Sequence, residues 1–153
     1  MAACSSGAWG EISSLVFRYA EYIDAGDFPA VAELFADGEI TAAGTPLRRS
    51  GYDQVLAMYV EGTRRYPDGT PRTKHVTTNL VIEIDPAGTT AGCRSYFTVL
   101  QAVNGALALQ PIIAGRYHDA FAMSDSGWRF ESRHIIVDLV GELGHHLLEG
   151  YQP

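Results

Sequence analysis

The sequence predicts an α+β fold in which three helices come first and a mostly antiparallel sheet follows. Apolar residues in the first half recur at the three- and four-residue spacing of amphipathic helices. The second half contains four long extended runs separated by short turn sequences, and strands joined in this way pair antiparallel. Helices that precede such a meander pack together on one face of the sheet.

Start and stop signals separate the three predicted helices. The first ends at Gly26; the second begins after Asp27, which is suited to cap it, and ends at Asp37-Gly38. The third begins after Ser50, a second candidate cap. Each helix has one apolar stripe, formed in turn by Ile12, Leu15, Val16, Tyr19 and Ile23, by Phe28, Val31, Leu34 and Phe35, and by Tyr52, Val55, Leu56, Tyr59 and Val60.

Two short strands and four long ones are expected in the sheet. The short strands, 39–43 and 47–50, surround a Gly-Thr-Pro turn between the second and third helices. The long strands are separated by turn sequences such as Asn104-Gly105 and lie near residues 74–84, 90–102, 107–123 and 128–140.

The first long strand is expected to present two different faces. By strict alternation, His75, Thr77 and Asn79 share one polar face that suits a pocket. The opposite face is apolar and carries Val76, Leu80, Ile82 and Ile84. Because one layer of helices cannot cover both sides of a sheet, this apolar face suits burial against another subunit. We therefore expect a homo-oligomer, either a dimer or a trimer.

Composition and charge disfavour several classes of partner. The net charge of -7 at pH 7 disfavours nucleic acid, because phosphate binding needs a basic surface. No apolar run approaches the roughly 20 residues of a membrane span, and residues 1–10 lack the blocks of a signal peptide. The two cysteines, Cys4 and Cys93, form no disulfide framework, which favours a reducing, cytoplasmic location.

Five segments carry a resemblance to a known family: Tyr19 to Asp27, Leu34 to Asp37, His75 to Asn79, Gly115 to Asp119 and Gly127 to Arg133. They resemble the SnoaL-like family of the nuclear transport factor two-like superfamily, also called the cone-shaped α+β barrel. Within it, the chain is most similar to the group of scytalone dehydratase and bile-acid dehydratases. The resemblance implies three N-terminal helices on a curved, mostly antiparallel sheet, with a cavity between them.

The resemblance covers about residues 11–139. It implies that residues 1–153 form a single SnoaL-like domain with that core, and with termini that are flexible or lie at an interface.

The same resemblance implies three catalytic residues. In the family's dehydratases a tyrosine and an aspartate from the helical half meet a histidine from a strand, and Tyr19, Asp24 and His75 match those positions. Scytalone dehydratase also uses a histidine on the next strand. Here that strand reads Cys93-Arg94-Ser95-Tyr96-Phe97, a departure that argues against a scytalone-type substrate.

The chemistry of these residue types suits proton transfer beside a carbonyl group. An imidazole titrates near neutrality and can take and return a proton, a carboxylate can orient it, and a tyrosine can hydrogen-bond a developing oxyanion. Tyr19 and Asp24 lie five residues apart, roughly 140° around an ideal helix, so both reach one cavity only if Asp24 lies at the loosened helix end. The structural alternative is a core tyrosine, a solvated aspartate and a hydrogen-bonded strand histidine.

Further candidates are less specific. We expect Tyr59, Asn79, Tyr96 and Arg133 to contact the substrate, although Arg133 has an alternative role as a buried ion-pair partner of Asp119 or Glu131. His118 and His134 lie on later strands, and alternation does not tell which of their faces lines the pocket. His145-His146 lies in a glycine-flanked tail, where surface or interface positions are expected. No ligand spacing supports a metal site.

The sequence therefore predicts a cofactor-independent dehydratase that acts on a small hydrophobic hydroxy-carbonyl compound. An isomerase or a cyclase could use the same residues, because both begin with the same enolate. Two alternatives are not enzymes: a module that binds a small apolar ligand, and a structural subunit like the small subunit of ring-hydroxylating dioxygenases.

Overall fold

The computed structural model describes residues 3–150, with side chains from residue 7 onward. The side chain of Cys4 lies outside the described residues, whereas Cys93 is a buried free thiol. Three helices and six strands follow one another as α1 Ala3–Ala25, α2 Phe28–Leu34, β1 Glu39–Ala42, β2 Arg48–Ser50, α3 Gly51–Gly62, β3 Thr73–Ile84, β4 Thr90–Val103, β5 Leu107–Ser124 and β6 Gly127–Val140. The predicted order and type of the elements are confirmed.

The junction between α1 and α2 forms as the sequence predicts. Asp27 caps α2 by accepting a hydrogen bond of 3.1 Å from the backbone N–H of Ala30. Gly26 has a φ of +74°, and a Cβ atom there would lie 2.0 Å from the carbonyl oxygen of Gly69. The chain turns sharply at Gly26 because only glycine accepts both this φ and this close approach.

The predicted cap of α3 is wrong in its chemistry. Ser50 occupies the cap position, but its side chain makes no capping hydrogen bond. Its hydroxyl instead lies 3.4 Å from the Glu39 carboxylate, and its backbone N–H donates to the side chain of Gln54.

The strands form one mixed sheet in the order β2-β1-β6-β5-β4-β3. All neighbouring pairs are antiparallel except β1 and β6, which are parallel. The helices pack on the curved sheet, with α1 contacting both β3 and β6. The core lies between these layers and includes the fully buried residues Ile12, Val16, Phe28, Phe35, Ile40 and Phe121.

A β-bulge in β3 changes which side chains face the core. Thr78 pairs with Tyr96 and Val81 pairs with Arg94, so Asn79 and Leu80 share the space opposite a single β4 residue. Asn79 adopts a φ of +57°, a left-handed conformation that asparagine tolerates better than most residues. After the bulge, even-numbered residues of β3 face the core, whereas before it the odd-numbered residues do.

This reversal corrects two predictions. Leu80, Ile82 and Ile84 pack against the core, whereas Val76 is 43% exposed, so these four residues do not form one outer face. Asn79 is exposed and does not line a pocket. Both predictions assumed uninterrupted alternation along the strand, which the extra residue of the bulge breaks.

A different set of apolar side chains covers the outside of the sheet. Val76, Val81, Tyr96 and Leu139 are 43%, 47%, 55% and 70% exposed, and we call them the outer sheet face. An exposed ion pair between Arg116 and Asp138, at 2.8 Å, lies among them. None of the helices within residues 3–150 is long and apolar enough to cross a membrane.

We expect Gly26→Ala to destabilise the fold more than Gly88→Ala. Both glycines have positive φ, +74° and +70°, so each alanine costs roughly 1–2 kcal/mol of left-handed strain. Only position 26 adds a clash, since nothing lies within 4 Å of a Cβ at Gly88. Urea unfolding of the two variants measures the difference, and equal losses would contradict the close approach to Gly69.

Candidate active site

A cavity of about 360 Å³ lies between the helices and the inner face of the sheet. Its wall is predominantly apolar and includes Ile23, Met58, Phe97, Val99, Ile113, Ile135 and Leu143. The polar residues that line it are few: Tyr19, Thr45, Tyr59, Thr63, His75, Tyr117 and His146. A small number of polar groups in an apolar wall is typical of sites for small molecules.

Asp24 and His75 form a hydrogen-bonded pair at the edge of this cavity. Nδ1 of His75 lies 2.7 Å from Oδ1 of Asp24, and the two side chains are only 8% and 10% exposed. Burial by itself raises the pKa of Asp24, but the hydrogen bonds and charge of His75 outweigh it and hold that pKa below its ordinary value. Asp24 is therefore an ionised carboxylate at neutral pH.

The end of α1 positions this carboxylate. Asp24 precedes the last residue of the helix, and it accepts two further hydrogen bonds of 2.8 Å, from the hydroxyl of Thr73 and from the backbone N–H of His75. Its side chain lies behind His75 and does not line the cavity. Tyr19 and His75 do line the cavity, so the expectation that all three side chains point into it is wrong for Asp24 alone.

Tyr19 and Tyr59 place two hydroxyl groups together inside the cavity. Their oxygens are 2.6 Å apart, and both side chains are almost fully buried. Burial, reinforced by Tyr19, raises the pKa of Tyr59 well above its ordinary value. Tyr59 therefore stays protonated and keeps a hydrogen to donate.

Arg133 lies beneath Tyr19 and the neighbouring Tyr117. Its guanidinium carbon is 4.1 Å from the ring centroid of Tyr19 and 3.9 Å from that of Tyr117, at cation–π distance. It is fully buried and forms a bidentate ion pair with Asp119, at 2.9 and 2.7 Å. Burial opposes its charge, but the Asp119 carboxylate more than compensates and raises the pKa of Arg133 above its ordinary value.

Arg133 does not line the cavity, so it is not placed to contact a substrate directly. The sequence allows Arg133 two alternative roles, as a substrate contact and as a buried ion-pair partner, and the structure has it in the second, paired with Asp119. The prediction that Tyr96 lines the pocket is also wrong, because Tyr96 belongs to the outer sheet face. Among the predicted substrate contacts, only Tyr59 lies in the cavity wall.

His118, His134 and His146 lie in different surroundings. His118 is exposed beside its neighbour His134 on the outer side, and Nδ1 of His134 is 2.8 Å from the hydroxyl of Thr41. His146 was expected at the surface or at an interface, but it lines the cavity. Local spacing gives no signal for this placement, since the tail that carries His146 is positioned by distant contacts.

No group of three or more His, Cys, Asp or Glu side chains within the described residues is arranged to hold a metal ion. The site thus consists of an ionised carboxylate–imidazole pair, two hydroxyl groups above a buried arginine, and a further histidine. Such groups can move a proton and stabilise a negatively charged oxygen.

Solved structures of similar shape support the fold. A nuclear transport factor two-like protein with a cystatin-like fold from Novosphingobium aromaticivorans has a TM-score of 0.71 and 22% identity, covering 95% of this chain and 84% of its own. A candidate scytalone dehydratase from the same organism has a TM-score of 0.71 and 20% identity. The alignment covers 94% of this chain and 98% of the dehydratase chain.

A third similar structure, also from Novosphingobium aromaticivorans, is the β subunit of a candidate aromatic-ring-hydroxylating dioxygenase. Its TM-score is 0.69, with 20% identity and coverage of 89% of this chain and 92% of its own. These proteins are so distant in sequence that they establish the shape of the fold alone.

The sequence itself identifies the family. No protein of curated function matches it significantly. The family model described as the SnoaL-like domain matches residues 8–134, which include Tyr19, Asp24 and His75. Because this match spans most of the sequence, the chain belongs to the SnoaL-like family.

Proposed function

We propose that the protein is a cofactor-independent dehydratase that acts on a small hydrophobic hydroxy-carbonyl compound. The observation that carries this proposal is the buried Asp24–His75 pair, because it fixes which nitrogen of the ring can act as a base. A predominantly apolar cavity of about 360 Å³ suits a small apolar substrate.

The hydrogen bond to Asp24 sets the tautomer of His75. An ionised carboxylate only accepts hydrogen bonds, so Nδ1 of the ring carries the proton that it donates to Asp24. In the neutral imidazole, Nε2 then has a free lone pair, and the ring lines the cavity. His75 is therefore prepared to remove a proton from a bound substrate.

The tyrosine pair supplies the complementary group. One hydroxyl donates to the other across 2.6 Å, which leaves one hydrogen to donate to the carbonyl oxygen of a substrate. The positive charge of Arg133, directly under the Tyr19 ring, favours negative charge above it. Together these groups stabilise an enolate.

The proposed reaction is a two-step elimination. His75 removes the proton from the carbon next to the carbonyl, and the electron pair of that C–H bond forms the enolate. The enolate then re-forms the carbonyl and a carbon–carbon double bond while the bond to the neighbouring hydroxyl breaks. The imidazolium of His75 returns its proton to this hydroxyl, which leaves as water.

We expect Asp24→Asn and His75→Ala each to lower kcat by roughly 10²–10⁴-fold, the usual contribution of general acid–base catalysis. The double variant should lose little more than either single one, because a base and its orienting group act as a unit. Steady-state kinetics on a panel of β-hydroxy ketones and hydroxyacyl thioesters, followed by water loss or isomerisation, measures this.

Asp68→Asn is the matched control, since Asp68 is an exposed carboxylate outside the cavity. It should leave turnover unchanged. Isomerisation or ring closure without water loss would instead assign the same residues to an isomerase or a cyclase. Full activity of His75→Ala would contradict the mechanism. No turnover of any compound in the panel by the wild-type protein would instead favour a binding module or a dioxygenase subunit, and the latter would copurify with a large iron–sulfur subunit.

Tyr19→Phe should lower kcat by about 10²-fold, which is typical of removing one oxyanion donor. Tyr22→Phe is its matched control, because Tyr22 lies on the same helix and packs against the core without lining the cavity. Kinetics and thermal unfolding should be measured together. The interpretation fails if both variants keep full activity, or if Tyr19→Phe loses activity only by unfolding.

We also propose that the protein is a homo-oligomer, a dimer or a trimer, assembled through the outer sheet face. Tyr96 and Leu139 are large, exposed and adjacent on this face, and apolar patches of this kind mark contact surfaces.

The free thiol of Cys93 is consistent with the reducing, cytoplasmic location that we propose.

Leu139→Glu should convert the oligomer into monomers. Leu109→Glu is the control, because Leu109 is equally exposed, at 72% against 70%, but lies near Asp24 and Asp68 on another surface. Light scattering of both variants at micromolar concentration measures the mass. A monomeric wild-type protein, or an oligomer that Leu139→Glu leaves intact, would exclude this interface.

A further inference from the structure

The segment that follows β6, residues 141–148, crosses back over the cavity, and we call it the C-terminal strap. Leu143, His146 and Leu147 of the strap contribute to the cavity wall. The match to the family model ends at residue 134, so the strap lies outside the matched residues.

Hydrogen bonds hold the strap in place at the end of α3. The N–H of Arg64 donates to the carbonyl of His146 at 2.8 Å, and the N–H of Leu148 donates to the carbonyl of Gly62 at 3.0 Å. Thr63 and Leu147 also form an isolated antiparallel bridge. The backbone on both sides of the His146 ring is therefore fixed.

Side chains from β4 and from the loop after α3 bind the backbone of His145, the residue before His146. The hydroxyl of Tyr66 donates to the carbonyl of His145 at 2.6 Å, and the side-chain amide of Gln101 donates to the same oxygen at 3.0 Å. The strap is therefore anchored from α3, β4 and the loop after α3, and these contacts fix the backbone that carries His146.

The ring of His146 has an unfilled hydrogen-bonding requirement. Its Nδ1 atom is buried and has no hydrogen-bond partner within the described residues. Burial first, and then the nearby charge of His75, lower the pKa of His146 to about 4, while the Asp24 carboxylate partly opposes this. A neutral imidazole has one donor and one acceptor. Because Nδ1 is buried away from the cavity, Nε2 is the ring nitrogen left to bind a ligand in the cavity that His146 lines.

We propose that His146 is a further substrate-binding residue, which hydrogen-bonds the hydroxyl group of the substrate while the tyrosine pair holds the carbonyl. This inference rests on the proposed function and narrows the substrate class to apolar molecules with two separated polar groups. The hydroxyl held by His146 is the group that leaves, so His146 would also orient it toward His75.

Ligand binding without turnover tests this inference separately from catalysis. The probes are the α,α-dimethylated β-hydroxy derivative of benzylacetone and the same ketone without the hydroxyl. Neither can lose water through an enolate, because the carbon between the carbonyl and the benzylic carbon carries no hydrogen. Calorimetry should show that the wild-type protein binds the hydroxylated probe about tenfold more tightly, the gain expected from one hydrogen bond.

His146→Phe should abolish that preference and leave the affinity for the probe without a hydroxyl unchanged or improved. His146→Gln, which keeps an amide near the position of Nε2, should restore part of the preference. His145→Phe is the matched control, since the His145 side chain does not line the cavity, and it should behave as wild type. An equal preference in wild type and His146→Phe, or no binding of either probe by wild type, would overturn the inference.

A measurement without ligand checks the placement of the ring. A histidine whose pKa is lowered in the folded state stabilises the fold above its unfolded pKa of about 6.5, and this stability is lost as the pH falls toward 4. His146→Phe lacks this loss, so its Tm should fall less than that of wild type between pH 7 and pH 4.5. Parallel Tm curves would show that His146 is solvated and would overturn the proposed contact.

The two tests separate failure of this inference from failure of the proposed function. If His75 is not the catalytic base, His75→Ala keeps whatever activity is found, yet the hydroxyl preference in binding still depends on His146. If only the inference fails, the catalytic variants lose activity while His146→Phe keeps the preference.

Discussion

The contact between Asp24 and the start of β3 joins the helical layer to the sheet. One carboxylate accepts hydrogen bonds from the hydroxyl of Thr73, the backbone N–H of His75 and the ring of His75. The first two bonds fix where the strand begins relative to α1, and the third fixes the orientation of the imidazole. The packing of the two layers and the protonation of the proposed base therefore depend on the same group.

The ion pair between Arg133 and Asp119 has a similar double role deeper in the core. The two residues lie opposite each other on β5 and β6, so the register of those strands brings them together. Taking an arginine fully out of water is unfavourable unless a well-aligned carboxylate compensates it, and the bidentate geometry does so. The positive charge of Arg133 lies under the rings of Tyr19 and Tyr117, so it acts on the cavity electrostatically and not by direct contact with a bound molecule.

The apolar wall of the cavity strengthens the effect of these two charged pairs on a bound substrate. Electrostatic interactions are stronger where water is excluded, so a small number of polar groups can discriminate between a neutral carbonyl and an enolate. The C-terminal strap completes that wall with Leu143 and Leu147 and adds His146. A cavity formed from three helices, a sheet and a strap allows its polar groups to approach a substrate from different sides.

The sequence alone determined the order, type and approximate limits of the helices and long strands, because their periodicity and turn residues are local properties. It also placed His75 on the inner face of β3, and the family resemblance identified Asp24 as its partner. The tertiary structure decided what depends on distant contacts. A single extra residue at Asn79 reversed the alternation of β3, Tyr96 turned outward, and Arg133 paired beneath the cavity. His146 entered the site only because α3, Tyr66 and Gln101 anchor the strap, and no local pattern encodes hydrogen bonds between residues so far apart in the chain.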